Sequence, residues 1–232
     1  MKIQSLIVAA LAVAASVITV QAGPVTTLID TTSDYTGIQG LNGLQYGYFL
    51  EPSTTFTTTG FTYGDTVAGW WALGNTGGSN FAFVGPNSQA HPGYNASTQQ
   101  SYDTVRRYTD SYTGLVNFSG IIAKQDTGAP AGQTVSGNIY LNGVSIYSQV
   151  VAGNNGIGFT YNFNRNLVAG DIVDFAVSTG PGSSIQHDLT TFGGHLQTVA
   201  VTTPTPEPTT LALSAGFIGI SLVLRRKLYS AR

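Results

Sequence analysis

The side chains able to do chemistry in this 232-residue sequence are few and widely spaced. His91, His187 and His195 are its only histidines. His187 directly precedes Asp188, but neighbouring side chains on a strand point to opposite faces, so a His–Asp dyad there would require a loop. Three histidines form a metal site only if they converge, and no helical His-x3-His spacing is present. Surface or loop positions are the expected reading for all three. Asp171, Asp174 and Asp188 could offer oxygens to calcium, yet that ion takes six to eight and no Asp-x-Asp-x-Asp loop supplies them. Asp171 reads more simply as a turn residue and Asp188 as a cap or strand-end hydrogen-bonding group. No cofactor is therefore expected, calcium being the one candidate.

Glycoside hydrolysis would need two carboxylates about 5–10 Å apart across a sugar. Glu51 and scattered aspartates are available, and no motif unites them. No Gly-x-Ser-x-Gly elbow, P-loop or dinucleotide fingerprint occurs, and the absence of cysteine excludes thiol chemistry. An enzyme is not expected. Trp70 and Trp71, with Tyr46, Tyr48, Tyr63 and Tyr94, could instead offer faces for sugar rings, although core packing is the default for aromatics. Adjacent tryptophans on a strand place one inside and one outside, which makes Trp70 or Trp71 the candidate glycan contact. Arg106 and Arg107 obey the same rule. The inward one needs a carboxylate, with Asp103, Asp110 or Asp188 as possible mates.

The elements that must position these residues read as strands. Phe159, Tyr161 and Phe163 alternate with Thr160, Asn162 and Asn164, and Val173, Phe175 and Val177 alternate with Asp174, Ala176 and Ser178. Val116 and Phe118 alternate with Asn117 and Ser119. Asn142-Gly143 between Ile139–Leu141 and Val144–Tyr147 predicts a hairpin, since both residues accept the positive φ of a type I′ turn. Ala169-Gly170-Asp171 predicts a turn into the Val173 strand. Further strands are expected at 45–50, 56–63, 80–84, 105–108 and 191–199, and residues 85–100 read as a long polar loop of the kind that carries function. Nine or ten short strands without a helical period or internal repeat predict an all-β, antiparallel two-sheet β-sandwich, with a jelly roll as the preferred topology.

Residues 23–202 are assigned to that sandwich. They hold four cations (Arg106, Arg107, Lys124, Arg165) against ten aspartates and glutamates, a net charge of −6. Such a body lacks the basic footprint nucleic acid demands. Without cysteine its stability must come from packing. Ahead of it, Lys2, the apolar run 6–17 and Val20-Gln21-Ala22 read as a signal peptide over residues 1–22. Behind it, residues 203–210 form a Pro/Thr linker, and 211–232 an apolar segment stopped by Arg225, Arg226 and Lys227. The 16 uncharged residues 209–224 make about 24 Å of helix, short for a bilayer core unless the basic cluster snorkels to headgroups. The cationic stop would stay cytoplasmic and leave the body outside.

Pro206-Glu207-Pro208, the apolar segment and the basic end together resemble the PEP-CTERM sorting tail of Gram-negative bacteria. That resemblance implies an exported protein held briefly in the inner membrane. It would then be processed by exosortase, an integral-membrane transpeptidase for which Pro206, Glu207 and Pro208 are the recognition residues. It also implies an association with extracellular polysaccharide, the setting of a biofilm matrix. The body is similar to carbohydrate-binding jelly rolls in the order of His91-Pro92-Gly93, Val105 to Thr109, the hairpin, Ala169-Gly170-Asp171, and Asp188 with Thr190. This second likeness implies a fold and a glycan context and assigns no ligand.

The expectation is a non-catalytic cell-envelope or extracellular-matrix protein contacting exopolysaccharide. A glycan-active enzyme with an unrecognised site and a self-associating adhesin or filament subunit are the alternatives. Converging carboxylates in a groove would favour the first alternative, an exposed edge strand the second.

Overall fold

The computed structural model describes residues 20–64, 68–73, 82–95, 97–180, 185, 187–200 and 202–204. Residues 1–19 of the signal peptide expected over 1–22, the sorting motif and the expected apolar membrane segment lie outside them. Among the described residues no helix is long and apolar enough to cross a membrane.

Residues Val25–Val199 form one compact unit. The remainder, Met1–Pro24 with Ala200–Arg232, forms another, in which β1 (Val20–Ala22) pairs antiparallel with β16 (Thr202–Pro204). Among the described residues the larger unit is all-β apart from one 3-10 turn at Leu41–Gly43, and its strands form two antiparallel sheets. One contains β2 (Thr27–Asp30), β4 (Phe61–Tyr63), β5 (Trp71–Leu73), β6 (Phe83–Val84), β7 (Gln89–His91), β10 (Gly114–Lys124), β13 (Phe159–Leu167) and β15 (Thr190–Thr198). Its order is β13-β10-β15-β7-β6-β5-β4, with β2 also on β15. The other sheet runs β12-β11-β14-β9-β3, with β8 also on β9. Its strands are β3 (Leu44–Leu50), β8 (Gly93–Asn95), β9 (Gln100–Thr109), β11 (Thr134–Leu141), β12 (Val144–Ala152) and β14 (Ile172–Thr179).

The two sheets close on Phe118, Ile122, Phe192 and Leu196 from one side and Tyr46, Ile139, Phe175 and Val177 from the other, all buried in one cluster. Period-2 patterning produces this directly. Val116, Phe118 and Ile122 are fully buried while Asn117 and Ser119 turn outward. The hairpin turn forms as its residues dictate, with Asn142 at φ 51° and Gly143 at φ 79°. Gly120 and Gly194 stand opposite each other beneath the Tyr161 ring, and a Cβ on either would strike its hydroxyl. That hydroxyl donates to Gly193 O at 3.0 Å.

Several expectations need correction. The stretch 85–100 is not an open polar loop: it supplies β7 to one sheet and β8 to the other, and Ser88, Ala90 and His91 are buried. Three-residue strands have no room for alternation to show; β7 is held between β6 and β15, and β8 on the start of β9. β14 is covered on both faces, because Phe49, Val105 and Ala176 form a second cluster on the outside, with Phe56 and Tyr140 against it. The strand expected over 56–63 shrinks to Phe61–Tyr63, while Thr57 keeps a single bridge to Tyr48.

Candidate functional site

Arg106, on β9, faces the interior at 1% exposure and has no carboxylate mate. It donates instead to the carbonyls of Phe192 (3.0 Å), Gly85 (3.0 Å) and Gln89, and so ties its own sheet to the opposite one. Burial pulls its guanidinium down to about 10, which leaves it charged at neutral pH. Arg107 takes the outer face and pairs bidentately with Asp174 at 2.7 and 2.8 Å, because the β9–β14 register sets the two opposite. It also lies 4.2 Å above the Phe56 ring. Asp188 is taken by Lys124. The expected mates Asp103, Asp110 and Asp188 are therefore all replaced.

The histidines separate. His91 is buried in β7, contrary to the surface expectation, with its ring stacked 4.9 Å from Phe83. His187, at φ 64°, sits at the surface 2.7 Å from Asp126, so it faces away from its sequence neighbour Asp188. His195 is half-exposed on β15, 3.3 Å from Asp30. Among the described residues no three His, Cys, Asp or Glu side chains are grouped to hold a metal. Asp171 is a turn residue: its carboxylate accepts from Val168 N and Asn142 Nδ2, both at 2.8 Å, and these bonds hold it below the ordinary carboxylate range.

Trp71 is buried, stacked on Tyr46 at 5.6 Å, with its indole donating to Thr36 O at 2.9 Å. Trp70 is half-buried, packed on Gly85 and set edge-on to Phe83 at 4.9 Å. Tyr46 and Tyr48 are buried with Trp71, while Tyr63 is exposed at the rim and Tyr94 half-buried on β8.

A carboxyl pair absent from the sequence reading lies on the outer side of the six-stranded sheet. Asp103 hydrogen-bonds Glu51, and burial, reinforced by that neighbour, pushes Asp103 up to about 9. At that value Asp103 keeps its proton at neutral pH. A hydrogen-bonded pair stands roughly 3 Å apart, too close to admit a sugar between them.

An open concavity lies elsewhere, where the end of β2, the 3-10 turn, the end of β9 and β15 meet. This cleft of about 920 Å³ is lined by Asp30, Asp34, Asn42, Ser111, His195 and Gln197 among others. The turn after β2 holds its own carboxylates: Asp34 Oδ2 accepts from Asp30 N, and Asp30 Oδ1 from Thr32 N, both at 2.8 Å. Gln197 Nε2 reaches Thr27 Oγ1 at 3.2 Å. The walls are carboxylate, amide, imidazole and hydroxyl, with Tyr108 and Leu28 also among the lining residues. Of its polar side chains the sequence had singled out only His195, because Thr27 and Asp30 reach His195 and Gln197 through the β2–β15 pairing, between residues far apart in the chain.

No protein-family model matches this chain, and no curated protein matches it. Its solved structural neighbours include carbohydrate-binding modules. A family 51 module from Clostridium perfringens in complex with methyl-galactose is 16% identical, covering 42% of this chain and 70% of that one at a TM-score of 0.31. A family 35 module from Clostridium thermocellum is 13% identical over 75% and 97%, at 0.29. A β-glucosidase from Kluyveromyces marxianus in complex with glucose is 15% identical over 75% and 19%, at 0.34. TM-scores this low say nothing of ligand or activity.

Proposed function

We propose that this protein is an exported, non-catalytic component of the cell envelope or extracellular matrix whose jelly-roll sandwich contacts exopolysaccharide. The observation that carries the reading is the cleft. Its open, polar wall offers carboxylate acceptors, amide donors and hydroxyls to a polyhydroxylated ligand. Trp70, the outer member of the tryptophan pair, is a further stacking residue for a sugar ring. Export and attachment follow from the leader and the PEP-CTERM-like tail, with exosortase as the processing partner and the inner membrane as a transient one.

Affinity electrophoresis of the whole body in gels cast with envelope polysaccharides tests this. Retardation that is lost in Ser33→Trp, which fills the cleft from an exposed turn position, is the expected result. Failure of every envelope polysaccharide to retard the protein would overturn it. Because Asp30 and Asp34 both line the cleft, a glycan-active enzyme is the second reading. Release of reducing ends that stops in Asp34→Asn would favour it.

A further inference from the structure

The outward face of the eight-stranded sheet carries two parallel rows of polar side chains that run across the strands. In the first row, register places Asn164 of β13 opposite Asn117 of β10, Asn117 opposite Gln197 of β15, and Gln197 opposite Thr27 of β2. In the second, Asn162, Ser119, His195 and Asp30 follow one another across the same four strands. The rows are locked to each other, since Asn117 Nδ2 donates to Asn162 Oδ1 at 2.7 Å and to Asn164 Oδ1 at 2.8 Å. Asn162 and Asn164 are exposed, and neither of their NH2 groups donates to another described residue. Thr27, Asp30, His195 and Gln197 belong both to these rows and to the cleft, so the two surfaces are continuous.

We infer that the cleft and the two rows form one track for the interior of a long, neutral polysaccharide chain lying across the strands. This rests on the proposed polysaccharide-binding function and names its ligand class. Strands about 4.8 Å apart present a new amide or hydroxyl at each step, close to the rise per sugar of an extended glycan, so successive rings meet equivalent donors and acceptors. Four strands span roughly 14 Å, room for several rings rather than one chain end.

Charge sets the class. Of the four cations in the body, Arg106 is buried and Arg107 and Lys124 are paired with carboxylates. Arg165 lies on the other face of β13, with its guanidinium 5.2 Å from the Phe163 ring. The track itself holds Asp30, with Asp34 beside it in the cleft, and His195 as its one base. Uronic-acid or sulfated chains would meet carboxylates without the guanidinium or ammonium groups that bind them.

The test titrates the wild-type body and the Asn162→Leu/Asn164→Leu variant against hydroxyethylcellulose, galactomannan and alginate, and against disaccharides of the two neutral polymers. Both substitutions are at exposed positions, and the melting midpoint confirms folding. The expected result is binding of a neutral polymer at least tenfold tighter than of its disaccharide. The double variant should lose that advantage, and neither protein should bind alginate. Polymer binding undiminished in the double variant but lost in Ser33→Trp would overturn the track and leave the cleft reading intact. Alginate bound as tightly as the neutral chains would overturn the ligand class. No sugar bound by the wild type overturns both readings. Self-association abolished by the double substitution, without any glycan binding, would assign the face to a second copy of this chain.

Discussion

Lys124 Nζ stands 2.8 Å from Asp188 Oδ1, and both side chains are fully buried. The pair joins the end of β10 to the segment that enters β15, the central strand of the track. Burial raises the Asp188 carboxyl while the ammonium lowers it, so the charged pair survives only because each partner compensates the other. Asp188 O also accepts from Thr190 Oγ1 at 2.8 Å, which anchors the start of β15.

Lys124→Met is accordingly expected to cost about 3–5 kcal/mol, because it leaves one buried charge alone. Adding Asp188→Leu should restore much of that loss. Denaturant melts of the two variants check it. A double variant no more stable than the single would refute the charge explanation.

Gly143→Val should destabilise the body by about 1–2 kcal/mol. Open space surrounds the site of the added Cβ, so the whole cost comes from holding a β-branched residue at φ 79°. An unchanged midpoint would show that the turn adopts another conformation.

The two tryptophans should part company. Trp71→Ala removes a buried indole and its hydrogen bond, at about 3–5 kcal/mol. Trp70→Ala removes a half-buried ring and is expected to fold, so its effect on glycan retardation can be measured directly. Equal losses in thermal melts would contradict the assignment of the two rings.

Asp103 makes stability fall as pH rises from the acid range to about 9. Its folded value of about 9 lies above the ordinary aspartate value of 3.8, so the native state holds a proton that the unfolded chain has released across that window. Stability from this group is full below the lower value and lost as pH rises through the upper one. Asp171 works in the opposite sense: its carboxyl is depressed, and its contribution falls away on acidification. Asp103→Asn should therefore gain on the wild type in melting midpoint between pH 5 and 9. A constant difference over that range would count against the raised Asp103 carboxyl.

The sorting proposal predicts that replacing Pro206-Glu207-Pro208 by alanines leaves the precursor in the inner membrane. Mass spectrometry of secreted or surface material decides it, since an intact terminus at Arg232 in the wild type would contradict processing.

Short-range physics made part of this protein legible before any folding. Alternation fixed β10 and β13, because a strand's inward face must be apolar and its outward face must meet water. Asn142-Gly143 fixed a hairpin, because few residue pairs tolerate two positive φ angles in succession. The Val173 strand was found but its burial was not, since the cover over its outer face comes from Phe49 and Phe56, far away in sequence. Charge pairing could not be read at all. Arg107 meets Asp174 and Lys124 meets Asp188 across 67 and 64 residues, through strand registers that local patterning leaves open. The cleft and the amide rows belong to the same class. Thr27 and Gln197, 170 residues apart, become neighbours only when β2 closes on β15, so what the sequence determined was the strands, and what the tertiary structure decided was which polar residues share a face.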